Sequence, residues 1–291
     1  RPYHALYRAA DMPPPARAAS VEQEAGQHPL LAAYLRSQRQ ASFFVTGDGL
    51  VSALSDAEIA QLRATYYGMV QEVDDQVGRL IDRLKAWGLY DDTLVVVTAD
   101  HGEMLGDHWM LGKQGYFDEA FHVPLIVCDP RQAADAGRGR TVERFTEAVD
   151  VMPTVLEWLG IAPPRQCDGR SLLPFTRGET PAGWRTEAHW EFDFRGLGAS
   201  DSERDLGLPM DACSLAVIRD DRGKYVHFAA LPPLFFDLAS DPHCLHDRSR
   251  DPACAARLLD YAQRMLSWRI QSSARDLTGM TTSPTGLQVR P

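Results

Sequence analysis

Thr93-Leu94-Val95-Val96-Val97-Thr98 is a continuous β-branched and apolar run without alternation, the pattern of a strand covered on both faces. The residues before it carry equally clear helix signals. Ser55-Asp56-Ala57-Glu58 has the capping-box pattern, in which the Ser side chain satisfies a free backbone N–H and the Glu reaches back three residues later. Ile59, Leu62, Tyr66, Met69, Val70, Val73, Val77, Leu80, Ile81 and Leu84 then recur mostly three and four apart, which places an apolar stripe on one helix face. Gly88 is the expected C-cap, and Tyr90-Asp91-Asp92 the turn into the strand. Together these predict a helix followed by a parallel strand of an α/β layered sheet, where ligands bind beyond the carboxyl ends of the strands.

Residues 1 to about 54 mix Pro, Gly, Gln and Arg with short apolar pieces and read as a surface excursion with short helices. A second buried strand is expected over Val123-Pro124-Leu125-Ile126-Val127, and an apolar helix over Val151 to Leu159, closed by Gly160. From about residue 185 the rhythm changes. Ser214 to Ile218 and Lys224 to Phe228 flank Asp220-Asp221-Arg222-Gly223, whose composition suits a hairpin turn. Leu234 to Leu238 adds a strand, and a helix is expected from about Pro252 to Ser272, with Leu258, Leu259, Ala262, Met265, Leu266 and Trp268 as packing residues. The last dozen residues read as a tail. The expected division is therefore residues 1–185 as part of an α/β core and 186–291 as a small antiparallel α+β subdomain with its tail.

With 291 residues and 44% hydrophobic composition the chain can bury a sizeable core. A formal net charge of -10 argues against a nucleic-acid surface, which needs clustered Lys and Arg; an anionic substrate would require a local positive focus such as a metal. No apolar stretch approaches the roughly 18 residues of a transmembrane helix, and no signal-peptide pattern opens the chain. The five cysteines are odd in number and form no C-x-x-C pair. A soluble, cytoplasmic protein without a membrane partner is the expectation, and a homo-oligomer stays open. The start at Arg1, with Pro-rich sequence close behind, reads as if joined midway through something.

Directly beyond the first strand stand Asp100-His101-Gly102. An Asp and a His leaving a buried strand supply one hard oxygen and one borderline nitrogen ligand, suited to Mn, Fe or Zn and to Ca where oxygens dominate. Gly102 lets the backbone turn sharply. Two ligands are too few, because a catalytic divalent metal takes at least three protein groups and an open position. Lys113 lies twelve residues beyond His101 in a Gly-flanked loop that can fold back over the metal and offer a point charge to a phosphoryl or sulfuryl oxygen. His108 is read either as a partner orienting a ligand or as a packing His. Asp74-Asp75 is read as solvent-facing, His122 and His227 as satisfied core or interface histidines, and the cysteines as packing residues.

The full segment D-H-G-E-M-L-G-D-H (residues 100–108), followed by Gly112-Lys113 and His122-Val123-Pro124-Leu125-Ile126-Val127, resembles the metal-ligand and substrate-lysine segment of the alkaline phosphatase/sulfatase superfamily. Tyr66-Tyr67-Gly68-Met69-Val70, Asp168-Gly169-Arg170-Ser171-Leu172-Leu173-Pro174, and Phe236-Asp237-Leu238 with Asp241-Pro242 resemble further family signatures in the family's order. Gly115-Tyr116-Phe117-Asp118, Tyr225-Val226-His227-Phe228 with Leu231-Pro232-Pro233, and Met265-Leu266-Ser267-Trp268-Arg269 look most like the phosphonate monoester hydrolases.

The resemblance implies an alkaline-phosphatase-like α/β/α sandwich, Asp100 and His101 as metal ligands, and Lys113 against the charged oxygens or leaving group of a small anionic ester. It implies a divalent metal, Mn first, with Zn, Fe or Ca as alternatives. It also implies a formylglycine nucleophile made from a C-x-[PA]-x-R motif. Cys128-Asp129-Pro130-Arg131 and Cys167-Asp168-Gly169-Arg170 both place the Arg one residue too early, so the formylglycine is expected upstream, as are the remaining acidic ligands. The family's substrate histidine would stand just before Arg1 if Pro2-Tyr3 is its P-Y motif, and His4 is a poor substitute. The implied activity is hydrolysis of phosphonate monoesters or phosphodiesters. An arylsulfatase-type sulfate ester hydrolase is the nearest alternative, and a non-catalytic metal-binding remnant without a nucleophile is another.

Overall fold

The computed structural model describes residues 3–196, 202–272 and 280–289. In chain order the elements are α1 (Val21–Ala25), α2 (Pro29–Ser37), α3 (Asp56–Ala86), β1 (Val95–Thr98), α4 (Asp118–Phe121), β2 (Leu125–Cys128), α5 (Val151–Trp158), α6 (Leu173–Thr176), β3 (Ala188–Asp193), α7 (Ser202–Leu206), β4 (Ser214–Arg219), β5 (Gly223–Phe228), β6 (Leu234–Asp237), α8 (Ala255–Ser272), β7 (Met280–Ser283) and β8 (Gly286–Val289). Short 3-10 turns join several of them.

The expected helix start is present in full. The Ser55 hydroxyl accepts from the Glu58 N–H and the Glu58 carboxylate accepts from the Ser55 N–H, the reciprocal pair of a capping box. The helix ends at Ala86, where the Gly88 N–H bonds to the Lys85 carbonyl and the Leu89 N–H to the Leu84 carbonyl, and Gly88 takes the left-handed conformation just past the cap.

The strand after it differs from expectation in two ways. β1 pairs antiparallel, not parallel, with β2, Val95 opposite Cys128 and Thr98 opposite Leu125. Neither strand is covered on both faces: β1 is half-buried with Thr98 exposed, and Ile126 of β2 is 61% exposed. The apolar stripe of α3 is likewise covered at one end only. Ile59 is buried and Leu62 packs beside it, while Met69, Val70, Val73 and Leu80 lie exposed. The hydrophobic pattern is that of a layered α/β core, and no described residue of this chain covers the second half of that layer.

Residues before Ser55 are not a surface excursion. Leu30, Leu31, Ala33, Tyr34 and Leu35 of α2 are all buried, and most of them share the main apolar cluster with Met104, Met110, Tyr116 and Phe117 and with Leu215, Val217, Val226, Phe228, Leu234 and Phe236 of the second sheet. The helix is aimed into that cluster by His28, whose Nδ1 accepts from the Leu30 N–H while its Nε2 sits 2.9 Å from the Pro232 carbonyl. The ring stacks on Phe228 at 4.3 Å. Short helices of mixed composition give no period long enough to reveal this burial.

The second sheet is antiparallel, ordered β3-β4-β5-β6, with Trp190, Val217, Val226 and Leu234 aligned across it. Alternation sends Leu215, Val217, Val226, Phe228 and Phe236 to the main cluster and Ala216, Ile218, Tyr225 and Phe235 to the other face, against Leu258, Tyr261, Ala262, Met265 and Trp268 of α8. Leu259 and Leu266, expected to pack, are exposed, because they fall on the far side of the helix. Part of the expected tail pairs as the hairpin β7–β8.

Candidate active site

β1 delivers Asp100 and His101 at its carboxyl end. The His101 N–H donates to Asp100 Oδ1 at 3.1 Å, and His101 Nε2 stands 3.5 Å from Asp100 Oδ2. The other ring nitrogen, Nδ1, lies 2.8 Å from the Gly102 carbonyl, an acceptor, which orients the ring with Nε2 on the side of the Asp100 carboxylate. A histidine oriented in this way by a backbone carbonyl is the usual state of a metal-ligating imidazole. The Asp100 side chain is 86% exposed, with oxygens still able to accept. The donor set therefore fits two ligands of one divalent cation. Among the described residues no group of three or more His, Cys, Asp or Glu side chains could hold a metal ion.

Gly102 serves close approach rather than a sharp turn. A Cβ there would lie 2.0 Å from the Glu119 carbonyl oxygen, and the Gly102 N–H donates to the Ala120 carbonyl at 2.8 Å. The segment carrying Asp100 and His101 is thereby pressed against α4.

From Glu103 the chain loops out and returns. The Met104 N–H donates to the Gly112 carbonyl at 2.9 Å, and Glu103 Oε1 accepts from the Gly112 N–H at 2.5 Å and from the Leu105 N–H at 3.3 Å. Lys113, exposed and next in sequence to Gly112, is thus carried back beside the segment that holds His101. Burial, with a smaller contribution from Glu103, pushes the half-buried Tyr66 hydroxyl above its ordinary range.

The return loop is held in an unusual shape. Leu105, His108 and Trp109 all have positive φ, at 48°, 53° and 62°, a conformation that non-glycine residues hold only when their surroundings enforce it. Arg63 of α3 donates to the Leu105 carbonyl at 2.9 Å and to Asp107 at 2.6 Å. The Ala16 N–H also reaches Asp107, and the His108 N–H bonds to the Ala16 carbonyl. His108 is a packing and pairing residue: its side chain is fully buried, stacked on Phe117 at 3.8 Å, with Nδ1 2.8 Å from Glu24 Oε1.

Other histidines and acids fall away from this cluster. Asp75 accepts from the Tyr3 hydroxyl at the exposed surface of α3. His122 and His227, expected in core or interface positions, are exposed, His122 because it follows the last residue of α4 and His227 because it points outward from β5 beside the Tyr225 hydroxyl. His4 is exposed in the first 3-10 turn, and Pro2 lies outside the described residues. The five cysteines form no disulfide. An open cavity against β2, lined in part by Ile126, Cys128, Val142 and Phe175, contains none of Asp100, His101 or Lys113.

Glu24 and Lys224 are two of the buried charged groups that escaped the sequence reading, beside Arg63, Asp129 and Asp150. Lys224 is 1% exposed in the middle of β5 with Nζ 2.6 Å from Asp118 Oδ1 and 3.3 Å from the Tyr116 carbonyl. Burial pushes Asp118 up, and Lys224 and Arg219 together outweigh it and hold the carboxyl below its ordinary range. Nothing local in either sequence context marks these side chains as buried.

With the geometry established, comparison with known proteins places the chain. The family model described as sulfatase matches residues 4–161, more than half of the sequence. The chain belongs to the sulfatase family. A second model, the C-terminal region of N-sulphoglucosamine sulphohydrolase, matches residues 106–271. Among curated relatives, a multifunctional alkaline phosphatase superfamily protein, PehA, from Trinickia caryophylli is 51% identical over 99% of this sulfatase-family chain and 56% of its own length. Arylsulfatase K from Xenopus laevis is 30% identical over 65% of the chain and 34% of its own length. The crystal structure of the phosphonate monoester hydrolase of Agrobacterium radiobacter superposes with a TM-score of 0.93 at 46% identity, covering 100% of this chain and 57% of that one. The fold is thus the alkaline-phosphatase-like α/β architecture, and the chain spans little more than half the length of these relatives.

Proposed function

We propose that the full-length protein is a metal-dependent hydrolase of phosphonate monoesters and phosphodiesters, to which this chain contributes Asp100 and His101 as metal ligands and Lys113 as a substrate-binding cation. The observation that carries this reading is the Asp100–His101 pair: an available carboxylate oxygen and an imidazole nitrogen 3.5 Å apart at a strand end, with the second ring nitrogen already occupied by the Gly102 carbonyl. The 46% identity to a phosphonate monoester hydrolase over the whole chain supports the substrate class.

A divalent cation, when bound, supplies Lewis acidity and neutralises charge that develops on the ester oxygens. Mn suits one oxygen and one nitrogen donor, with Zn, Fe or Ca as alternatives. The chain's own residues do the rest of what falls to it. Glu103 and the Met104–Gly112 backbone bond hold the two halves of the loop together, and Lys113 binds an anionic oxygen of a small ester as a point charge. Similarity to the sulfatase family supports a formylglycine nucleophile as the partner of these residues in the proposed site.

A second reading, sulfate ester hydrolysis, is favoured by the similarity to arylsulfatase K. One experiment decides between them. The longest natural form is assayed on a phenyl phosphonate monoester, a phosphodiester and an aryl sulfate with added Mn, Zn or Ca, beside Asp100→Ala and Lys113→Ala. Dominant phosphonate and diester turnover that both substitutions abolish is the expected result. Dominant sulfate turnover moves the protein to the second reading, and inactivity on all three, or turnover independent of Asp100, overturns the site.

A further inference from the structure

Beside Lys113 stands an apolar feature that the proposed chemistry does not use. Residues 39–50 form a small closed loop. Arg39 and Leu50 make an antiparallel bridge, the Gln40 N–H donates to the Gly49 carbonyl at 3.0 Å, and the Gln40 side chain donates to the Leu50 carbonyl at 2.9 Å. The loop is bolted to the backbone one residue before Gly112. The Gln38 amide both donates to the Leu111 carbonyl, at 2.6 Å, and accepts from the Leu111 N–H, at 2.9 Å, as a neighbouring strand would.

The loop's aromatic pair is divided between two tasks. Phe44 packs against the cluster of Val51, Leu54, Ile59 and Leu111 and anchors the loop. Phe43 turns the other way. Its ring edge lies 3.1 Å from where a Cβ on Gly112 would be, so it closes on the bare backbone of a glycine with φ of 77°. It remains 40% exposed, and Val45 at the loop tip is fully exposed. An apolar surface beside a charged binding group is what a ligand with one anionic and one organic end requires.

We propose that Phe43, with Val45 extending its lip, is the specificity wall of the site and receives the organic group carried on the ester oxygen while Lys113 holds the anionic end, so that aromatic esters are preferred over small aliphatic ones. This rests on the reading of Lys113 above. The Phe43 ring lies against Gly112, the residue next in sequence to Lys113.

The test compares phenyl and trifluoroethyl esters of methylphosphonic acid as substrates for the full-length protein, its Phe43→Ala, Phe43→Leu and Val45→Ser forms, and Lys113→Ala as control. Phe43→Ala is expected to lower the preference for the phenyl ester, as a ratio of kcat/KM values, by about tenfold, the size of a lost aromatic contact, chiefly through KM. Phe43→Leu, which keeps the bulk without the ring, recovers part of that preference, and Val45→Ser, whose side chain packs against nothing that folding needs, lowers it about twofold. An unchanged preference, or equal losses on both esters as a purely structural role would give, overturns the wall while Lys113→Ala still reports on the site. A full-length protein that hydrolyses neither ester, or is indifferent to Lys113→Ala, overturns the functional reading and the wall with it.

Discussion

His108 and Glu24 meet where neither side chain has any exposed surface, Nδ1 lying 2.8 Å from Oε1. The second carboxylate oxygen of Glu24 accepts from the Ala18 N–H at 2.6 Å, so one acid joins α1, the segment before it and the strained loop between His101 and Lys113. Glu24→Ala leaves the buried His108 imidazole without its partner, at about 1–3 kcal/mol, and the part-buried Ala18 N–H without an acceptor at a smaller cost. A loss of about 2–4 kcal/mol in urea unfolding is expected, with Glu24→Gln losing less, and equal stability of wild type and Glu24→Ala would show that the pair does not hold the loop.

Lys224 should behave as a charge that depends on its partner. Removing one member of a buried ion pair typically costs about 3–5 kcal/mol, and Lys224→Met leaves Asp118 with Arg219 alone at 3.2 Å. The double change Lys224→Met with Asp118→Leu should lose less than Lys224→Met alone. Additive losses measured by denaturation would show that the two side chains are not coupled.

His189 on β3 provides a pH signature. Burial pushes its pKa down, but hydrogen bonds and charge from Glu147 and Glu187 outweigh this and raise it above the ordinary value. Its Nε2 is 3.2 Å from Glu187, and its ring stacks on Trp268 at 4.6 Å. A raised folded-state pKa means the stabilisation is fully present below the unfolded value of about 6.5 and is lost as pH rises through the folded one. The thermal midpoint should therefore fall as pH rises above about 6.5, and the fall should flatten in His189→Gln. A slope that persists unchanged in that variant points to another group.

Asp100→Ala and His101→Ala should separate stability from metal binding. Asp100 is 86% exposed on its side chain and His101 34%, so each change should alter stability by within about 0.5 kcal/mol. Each should also lower the metal content of the purified full-length protein, read by elemental analysis. Unchanged metal content in both variants would remove them from the ligand set.

Gly102→Ala is the contrasting case. A Cβ 2.0 Å from the Glu119 carbonyl oxygen cannot be accommodated without moving β1 away from α4. Loss of both stability and metal content is expected, and an Ala variant with the melting curve of wild type would contradict the close approach.

Several features could be read from neighbouring residues alone. The Ser55 cap, the Gly88 and Gly160 helix ends, the turn at Asp220 to Gly223 and the strand of β-branched residues before Asp100 all rest on interactions closed within a few positions, and all of them appear. The placing of Asp100 and His101 together was legible for the same reason, since both residues leave one strand end. What the sequence left open, or suggested wrongly, depends on which segments meet in space. Periodicity marks α3 as having an apolar face but does not say that only its first turns are covered here, and the run of valines marks a strand without giving the direction of its partner. Leu30 to Leu35 look like scattered apolar residues until the second sheet closes over them. The buried pairs Glu24–His108 and Lys224–Asp118 join positions 84 and 106 residues apart by number. No local pattern encodes them, because the free energy that keeps a charge or an imidazole inside comes wholly from a partner that only tertiary packing brings within reach.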